Sequence, residues 1–461
     1  MIHKDSYQST VKVIHILKGK TRKFGYHFCW GIVFSVLLLT AMPTPAQTLS
    51  EKVLAMEIGL EQEFESYFGA DLAEVTQPPE EIANTLSRIG AETGTTPAVL
   101  WAIPRGDHLH LVLLTPNGEP VVRDLYDVPD ETLRATVRTF HLEVNSVSQR
   151  TARPAAQQLY RWMIEPYEDD FLAPAGVDTL LFCLGNGLRG IPLAALYDGE
   201  SFLLEKYSLT RIPAFNLIQT DYVDLEQSRF LAMGAAEFED LEPLPAVPSE
   251  ITRIWWELQY ARSSEERWQG QTFLNQQFTQ SNLVQAVNEL SPQVIHLATH
   301  AAFEPGAPQN SYVQFWDAQL SLDEMDSLEW PSPSLELLVL SACQTAVGDD
   351  EAELGFAGLA LKAGFKSAIA SLWNVSDVGT LALMSEFYRQ LGGTSTKAEA
   401  LRQAQLKMLR GEIRYEDGAL QLSRGSVPIA PELAAAIASA VPSDFSSPYF
   451  WAGFTMISSP W

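Results

Sequence analysis

Val294-Ile295-His296-Leu297-Ala298-Thr299-His300 and Leu337-Leu338-Val339-Leu340-Ser341-Ala342-Cys343 are two apolar runs, each ending in a residue able to do chemistry. Neither shows the three-to-four spacing of an amphipathic helix. Both read as strands buried on two faces of a parallel sheet. The 43 positions from His300 to Cys343 leave room for one right-handed crossover, which makes the strands sheet neighbours and brings imidazole and thiol to one carboxyl edge. An imidazole beside a thiol stabilises the thiolate and can protonate a leaving amine, so the pair reads as a Cys–His dyad. Backbone N–H groups in turns expected at Ala301 and Cys343 are candidates for an oxyanion hole.

The same alternation extends outward. Short apolar runs at 180–184, 230–233, 294–298, 335–341 and 368–372 are interleaved with or followed by helix-period segments at 155–164, 283–290, 354–363, 380–391 and 398–409. This predicts an α/β fold: a mostly parallel sheet flanked by helices on both faces. Upstream, Val53, Met56, Leu60, Phe64 and Tyr67, then Ile82, Leu86 and Ile89, predict a helical hairpin within 47–97. Period-two runs at 98–103 and 108–114, leading into Pro116-Asn117-Gly118, predict a small antiparallel β region over 98–150, with a tight turn that uses positive φ. The main domain is expected over 151–461.

Residues 1–46 differ from the rest. Lys4, Lys12, Lys18, Lys20, Arg22 and Lys23 face a single acid, Asp5, and precede a 15-residue apolar run, 28–42, that is shorter than the roughly 20 residues needed to span a bilayer. A small-residue site follows at Ala46-Gln47. The pattern predicts a secretory signal cleaved after Ala46, with an uncleaved membrane anchor or a mis-set start codon as the alternatives; with a signal or an anchor the remainder is exported, periplasmic or extracellular.

Across 461 residues, 57 acidic side chains against 31 basic ones give a net charge of −26, which repels phosphate backbones and argues against nucleic-acid partners. Three cysteines, Cys29, Cys183 and Cys343, are too few for a disulfide framework or a thiolate zinc site. His296 and His300 have metal-ligand spacing only on a helix, and His296 lies inside a strand pattern, so it reads as structural. Cys183, within an apolar run, reads as core. Gly185-Asn186-Gly187-Leu188-Arg189-Gly190 lacks the Lys-Ser/Thr phosphate grip. No metal, cofactor or nucleotide is therefore expected.

At these residues the chain resembles the CHAT-domain proteins, a caspase-like family grouped with caspases and separase among cysteine peptidases. The resemblance is carried by 295–300, 338–345, Ala370-Ser371-Leu372-Trp373-Asn374-Val375-Ser376-Asp377, Ala400-Leu401-Arg402-Gln403-Ala404-Gln405-Leu406 and Pro448-Tyr449-Phe450-Trp451-Ala452-Gly453-Phe454, with 188–196 resembling the first half of such domains. It implies a caspase-like three-layer domain in two halves, 151–240 and 241–461, of which only the second carries the dyad. It also implies Cys343 as nucleophile, His300 as acid–base partner and a protein or peptide substrate. In the similar separase sequence the acid closing the Leu-Trp-x-Val-x-Asp block binds a basic side chain before the scissile bond, and Asp377 holds that position. Asp377 equally suits the cap of a helix starting near Val378. Asp349, Asp350 and Glu353 add negative charge after the nucleophile or form a solvated loop. One departure is Ala301, where the family usually has glycine directly after the histidine. The resemblance thus leaves two readings: a cysteine endopeptidase cleaving after basic residues, and an inactive pseudopeptidase acting as a protein-binding scaffold.

Overall fold

Thr48 opens the first helix, α1 (Leu49–Phe68), with a capping box: its hydroxyl accepts from the Glu51 amide at 3.2 Å, and the Glu51 carboxylate accepts from the Thr48 amide at 2.7 Å. Gly69, at φ 66°, ends it. Helix α2 (Pro79–Thr93) completes the expected hairpin. The structure, a computed structural model, describes residues 47–72, 76–116, 118–145, 153–226, 228–260, 263, 267–328, 335–345, 349–429 and 444–461. The leader at 1–46, Asn117 and Cys29 lie outside the described residues.

Strands β1 (Pro97–Pro104), β2 (Leu109–Leu114) and β3 (Val121–Leu125) form the antiparallel set, followed by helices α3 (Asp130–Val144) and α4 (Pro154–Met163). The turn after β2 closes through the Gly118 amide on the Thr115 carbonyl at 3.0 Å, and Gly118 is not among the glycines with positive φ. Next come β4 (Thr179–Leu184), β5 (Ser208–Ile212), β6 (Arg229–Gly234), β7 (Gln269–Leu274), β8 (Val294–Phe303), β9 (Tyr312–Gln314), β10 (Gln319–Ser321), β11 (Leu337–Thr345) and β12 (Ser367–Ser371). After a separate three-stranded sheet of β13 (Arg414–Glu416), β14 (Ala419–Gln421) and β15 (Ser426–Pro428), the chain ends in β16 (Phe454–Ser458).

The main sheet runs β3-β2-β1-β4-β5-β16-β12-β11-β8. Pairing of β1 with β4 is parallel, so the antiparallel set continues the main sheet. β16, paired parallel with β5 and antiparallel with β12, joins β4 and β5 to β11 and β8, and β6 (Arg229–Gly234), expected in the first half, pairs with β7 and β8. Alternation along the strands makes three layers. Val99, Trp101, Leu181 and Cys183 pack with Phe64 and Leu86 of α1 and α2, whereas Leu100, Ala102, Leu180 and Phe182 pack with Phe140 and Leu159 of α3 and α4. The predicted mostly parallel α/β sheet with helices on both faces is thus the observed fold.

Glu57 ties α1 to the sheet, its carboxylate accepting from the Trp101 indole at 2.6 Å and from the Asn216 amide at 3.1 Å. Burial pushes its pKa up to about 7 despite those hydrogen bonds. At its far end α1 reaches the helix Asp350–Ala357, since a Cβ on Gly358 would stand 2.5 Å from the Phe68 ring.

Candidate active site

The strand carrying His300 changes neighbours just where the histidine sits. Residues Val294–Ala298 of β8 pair with β6, and Ala301 and Ala302 pair with β9. Thr299 and His300 fall in the interval between, a place where sheet edges diverge and ligands collect. At that end β6 runs close against β8: a Cβ on Gly234 would lie 2.6 Å from the Ala298 carbonyl oxygen. On its other side β8 carries a bulge. Leu297 stands opposite Leu340 and His300 opposite Ala342, so Ala298 and Thr299 together face Ser341. Such a bulge re-aims the residues that follow it.

The crossover brings the two predicted residues onto adjacent parallel strands. Cys343 stands opposite Ala301, one register step beyond the His300–Ala342 pair. Both strands run further than the apolar runs predict, through Phe303 and Thr345, so Ala301 and Cys343 lie in paired strand and not in turns. Pairing extends because backbone hydrogen bonds, not side-chain polarity, decide where a ladder ends. Ala301 is flanked by β9 on one side and β11 on the other, which directs its amide toward a neighbouring strand. β12 covers only Leu337–Val339 of β11, so β12 does not pair alongside Cys343. The described non-glycine residues with positive φ are Asn275, Ser291, Asp417 and Ser458, so the Ala301 backbone does not call for glycine's positive φ.

The interval beside His300 is filled by residues 235–246, which join β6 to the helix Val247–Gln259. His300 donates Nε2–H to the Glu242 carbonyl at 2.7 Å, which leaves Nδ1 as the basic nitrogen. Phe238 packs edge-on against the imidazole, with ring centroids 4.8 Å apart. The same segment is held at its far end by Asp377, whose carboxylate accepts from the Ala246 amide at 2.7 Å. Asp377 is therefore no helix cap; Ser376 caps the helix Asp377–Gln390, accepting from Gly379. Burial pushes the Asp377 carboxyl up to about 7, opposed by its bond to Ala246 and reinforced by Glu250.

Two clefts of about 510 Å³ each have opposite character. One shares Phe238 with His300 and is lined by Glu237, Glu239, Asp240 and Asp317. The other is lined by Arg134, Arg138, His141, Glu353 and Trp373. Burial and nearby Arg211 push His141 down to about 4. Nothing in the sequence patterning signals either cleft, because each joins residues far apart in the chain.

The remaining candidates take structural places. His296 is buried, with Nδ1 3.1 Å from the Tyr388 hydroxyl and Nε2 3.0 Å from the Glu250 carboxylate. Cys183 is a free, buried thiol 3.3 Å from the Pro213 carbonyl, and burial pushes its pKa up. Asp349 caps the helix Asp350–Ala357, accepting from Glu351 and Ala352, while Asp350 reaches Arg134 at 3.4 Å and Glu353 is buried. Three of the quoted blocks hold one another: Gln405 donates to the Trp451 and Phe454 carbonyls, both at 2.9 Å, and the Trp373 indole donates to the Tyr449 carbonyl at 3.1 Å.

The family profile described as CHAT domain matches residues 153–459, two thirds of the chain. No curated protein matches this chain. Among solved structures, Saccharomyces cerevisiae separase in its complex with securin is similar over 90% of this chain at 10% identity, with a TM-score of 0.49; this chain spans about a third, 34%, of that one. The Arg-specific cysteine proteinase gingipain R is similar over 72% of this chain and 74% of its own, at 12% identity and a TM-score of 0.37.

Proposed function

The chain belongs to the CHAT-domain family, and on that premise we propose that it is an exported cysteine endopeptidase that cleaves protein substrates after basic residues. One observation carries this reading: β8 and β11 are parallel neighbours, so the carboxyl-terminal stretches that bear His300 and Cys343 lie at the same edge of the sheet. In the proposed reaction His300 Nδ1 takes the Cys343 proton, and the thiolate sulfur attacks the substrate carbonyl carbon. Collapse of the tetrahedral adduct breaks the C–N bond, and the leaving amine takes the proton back from Nδ1. Water, deprotonated by Nδ1, then opens the thioester and restores the thiol. The Cys343 amide suits the developing oxyanion better than that of Ala301, which has strands on both sides.

Basic specificity draws support from charge. The acidic cleft beside Phe238 attracts a Lys or Arg side chain, and Asp377 belongs to the same neighbourhood through the 235–246 segment. A second reading, a pseudopeptidase that binds proteins, is favoured by the Phe238 ring and Glu242 carbonyl already engaging His300. A panel of fluorogenic peptides separates them. The endopeptidase turns over Arg and Lys peptides, and Cys343→Ala and His300→Ala do not; absence of turnover for every peptide supports the second reading.

A further inference from the structure

At the far edge of the sheet, three side chains converge that no part of this site uses. His110 on β2 pairs across the ladder with Asp124 on β3, and His108 lies two residues before His110 on the same side of the hairpin. His110 Nδ1 is 2.6 Å and His108 Nε2 3.5 Å from the same Asp124 oxygen, and all three ligand atoms lie within 4.8 Å of one another. On its other nitrogen, Nδ1, His108 meets the Asp107 carboxylate at 2.7 Å, and the Tyr126 ring packs on it with centroids 4.7 Å apart. Asp107 accepts only. His108 thus lies between two carboxylates, with Nε2 turned toward the Asp124 oxygen that His110 also meets, so the three ligand atoms face one point.

We propose that His108, His110 and Asp124 bind one zinc-class divalent transition cation, with Asp107 as the positioning residue that fixes the His108 tautomer. The donor set is two imidazoles and one carboxylate, suited to zinc and neighbouring ions and unsuited to calcium or magnesium. Bonds of about 2.0–2.2 Å put tetrahedral ligand atoms about 3.3–3.6 Å apart, so the cluster closes on an ion by small side-chain rotations, and the fourth position falls to water. A carboxylate on the outer nitrogen of a ligating histidine is the arrangement that orients such ligands and raises their basicity. The strong negative charge of the chain raises the local concentration of cations.

The test is calorimetric titration of the metal-stripped full chain with zinc chloride, run beside a Cys343→Ala/His300→Ala variant. The site predicts one equivalent bound by both proteins. Binding falls about a hundredfold or more in His108→Gln/His110→Gln, and about ten- to a hundredfold in Asp107→Asn, whose folded state is checked by circular dichroism. Cobalt(II) in place of zinc should give d–d bands without a thiolate charge-transfer band. The proposal is overturned by three results: no saturable zinc binding to wild type, binding unchanged in the double histidine variant, or binding lost with Cys343 and His300.

Discussion

His300 and Asp377 hold two points of one segment four residues apart: the imidazole donates to the Glu242 carbonyl at 2.7 Å, and the carboxylate accepts from the Ala246 amide at 2.7 Å. The segment that fixes the histidine tautomer is thus anchored by the residue proposed to read the substrate. Any change at Asp377 acts on two things, its own buried charge and the seating of residues 235–246.

Two substitutions separate these roles. Asp377→Asn keeps an oxygen to accept from Ala246 and removes the charge, so turnover of Arg and Lys peptides should fall about ten- to a thousandfold while that of an uncharged peptide barely moves. Asp377→Ala also frees the segment and should lower turnover of both. Equal losses for both peptide classes in Asp377→Asn leave Asp377 as an anchor alone.

Glu57 gives stability a pH dependence with a definite sign. Its pKa is about 7 folded against 4.5 as an ordinary glutamate, so between those values the native state binds more protons and stability falls as pH rises. Glu57→Gln lacks this loss, and its stability relative to wild type should rise by up to about 3 kcal/mol from pH 4.5 to 7. Urea unfolding at several pH values measures the difference; a flat profile contradicts the assignment.

Glu336, fully buried just before β11, meets Lys366 at 2.9 Å and Lys397 at 3.4 Å. Burial pulls the Lys397 ammonium down to about 8 even with Glu336 beside it. Glu336→Ala leaves two buried cations without their shared anion and should cost about 3–5 kcal/mol in chemical unfolding. A loss under about 1 kcal/mol means that water reaches the site.

The basic leader and the Ala46 site predict an exported chain whose N-terminus is Gln47. Edman sequencing of the secreted or periplasmic fraction checks this, and an intact Met1 in a soluble cytosolic fraction contradicts it.

Much of the fold is legible because it rests on period. The apolar runs at 180–184, 230–233 and 294–298 are strands β4, β6 and the first half of β8, and the spacing from Val53 to Tyr67 is α1. What escapes depends on backbone pairing or on distant chain. Thr299 to Phe303 and Ala342 to Thr345 continue their strands although polar residues interrupt the apolar pattern, and the bulge at Ala298 and Thr299 leaves no signature in residue type. The Phe238 and Glu242 contacts to His300 bridge about 60 positions of chain. His108, His110 and Asp124 meet only through hairpin register, so cysteine counts and the His296–His300 spacing could not find them.

Covalent capture tests whether Cys343 is a nucleophile activated by His300. The purified chain is treated with an acyloxymethyl ketone bearing Arg or Lys, and the adduct is located by peptide mass spectrometry. One adduct on Cys343 is expected, absent in Cys343→Ala, strongly slowed in His300→Ala, and slower with an uncharged probe. An adduct on Cys183, none on Cys343, or a Cys343 rate unchanged in His300→Ala contradicts it.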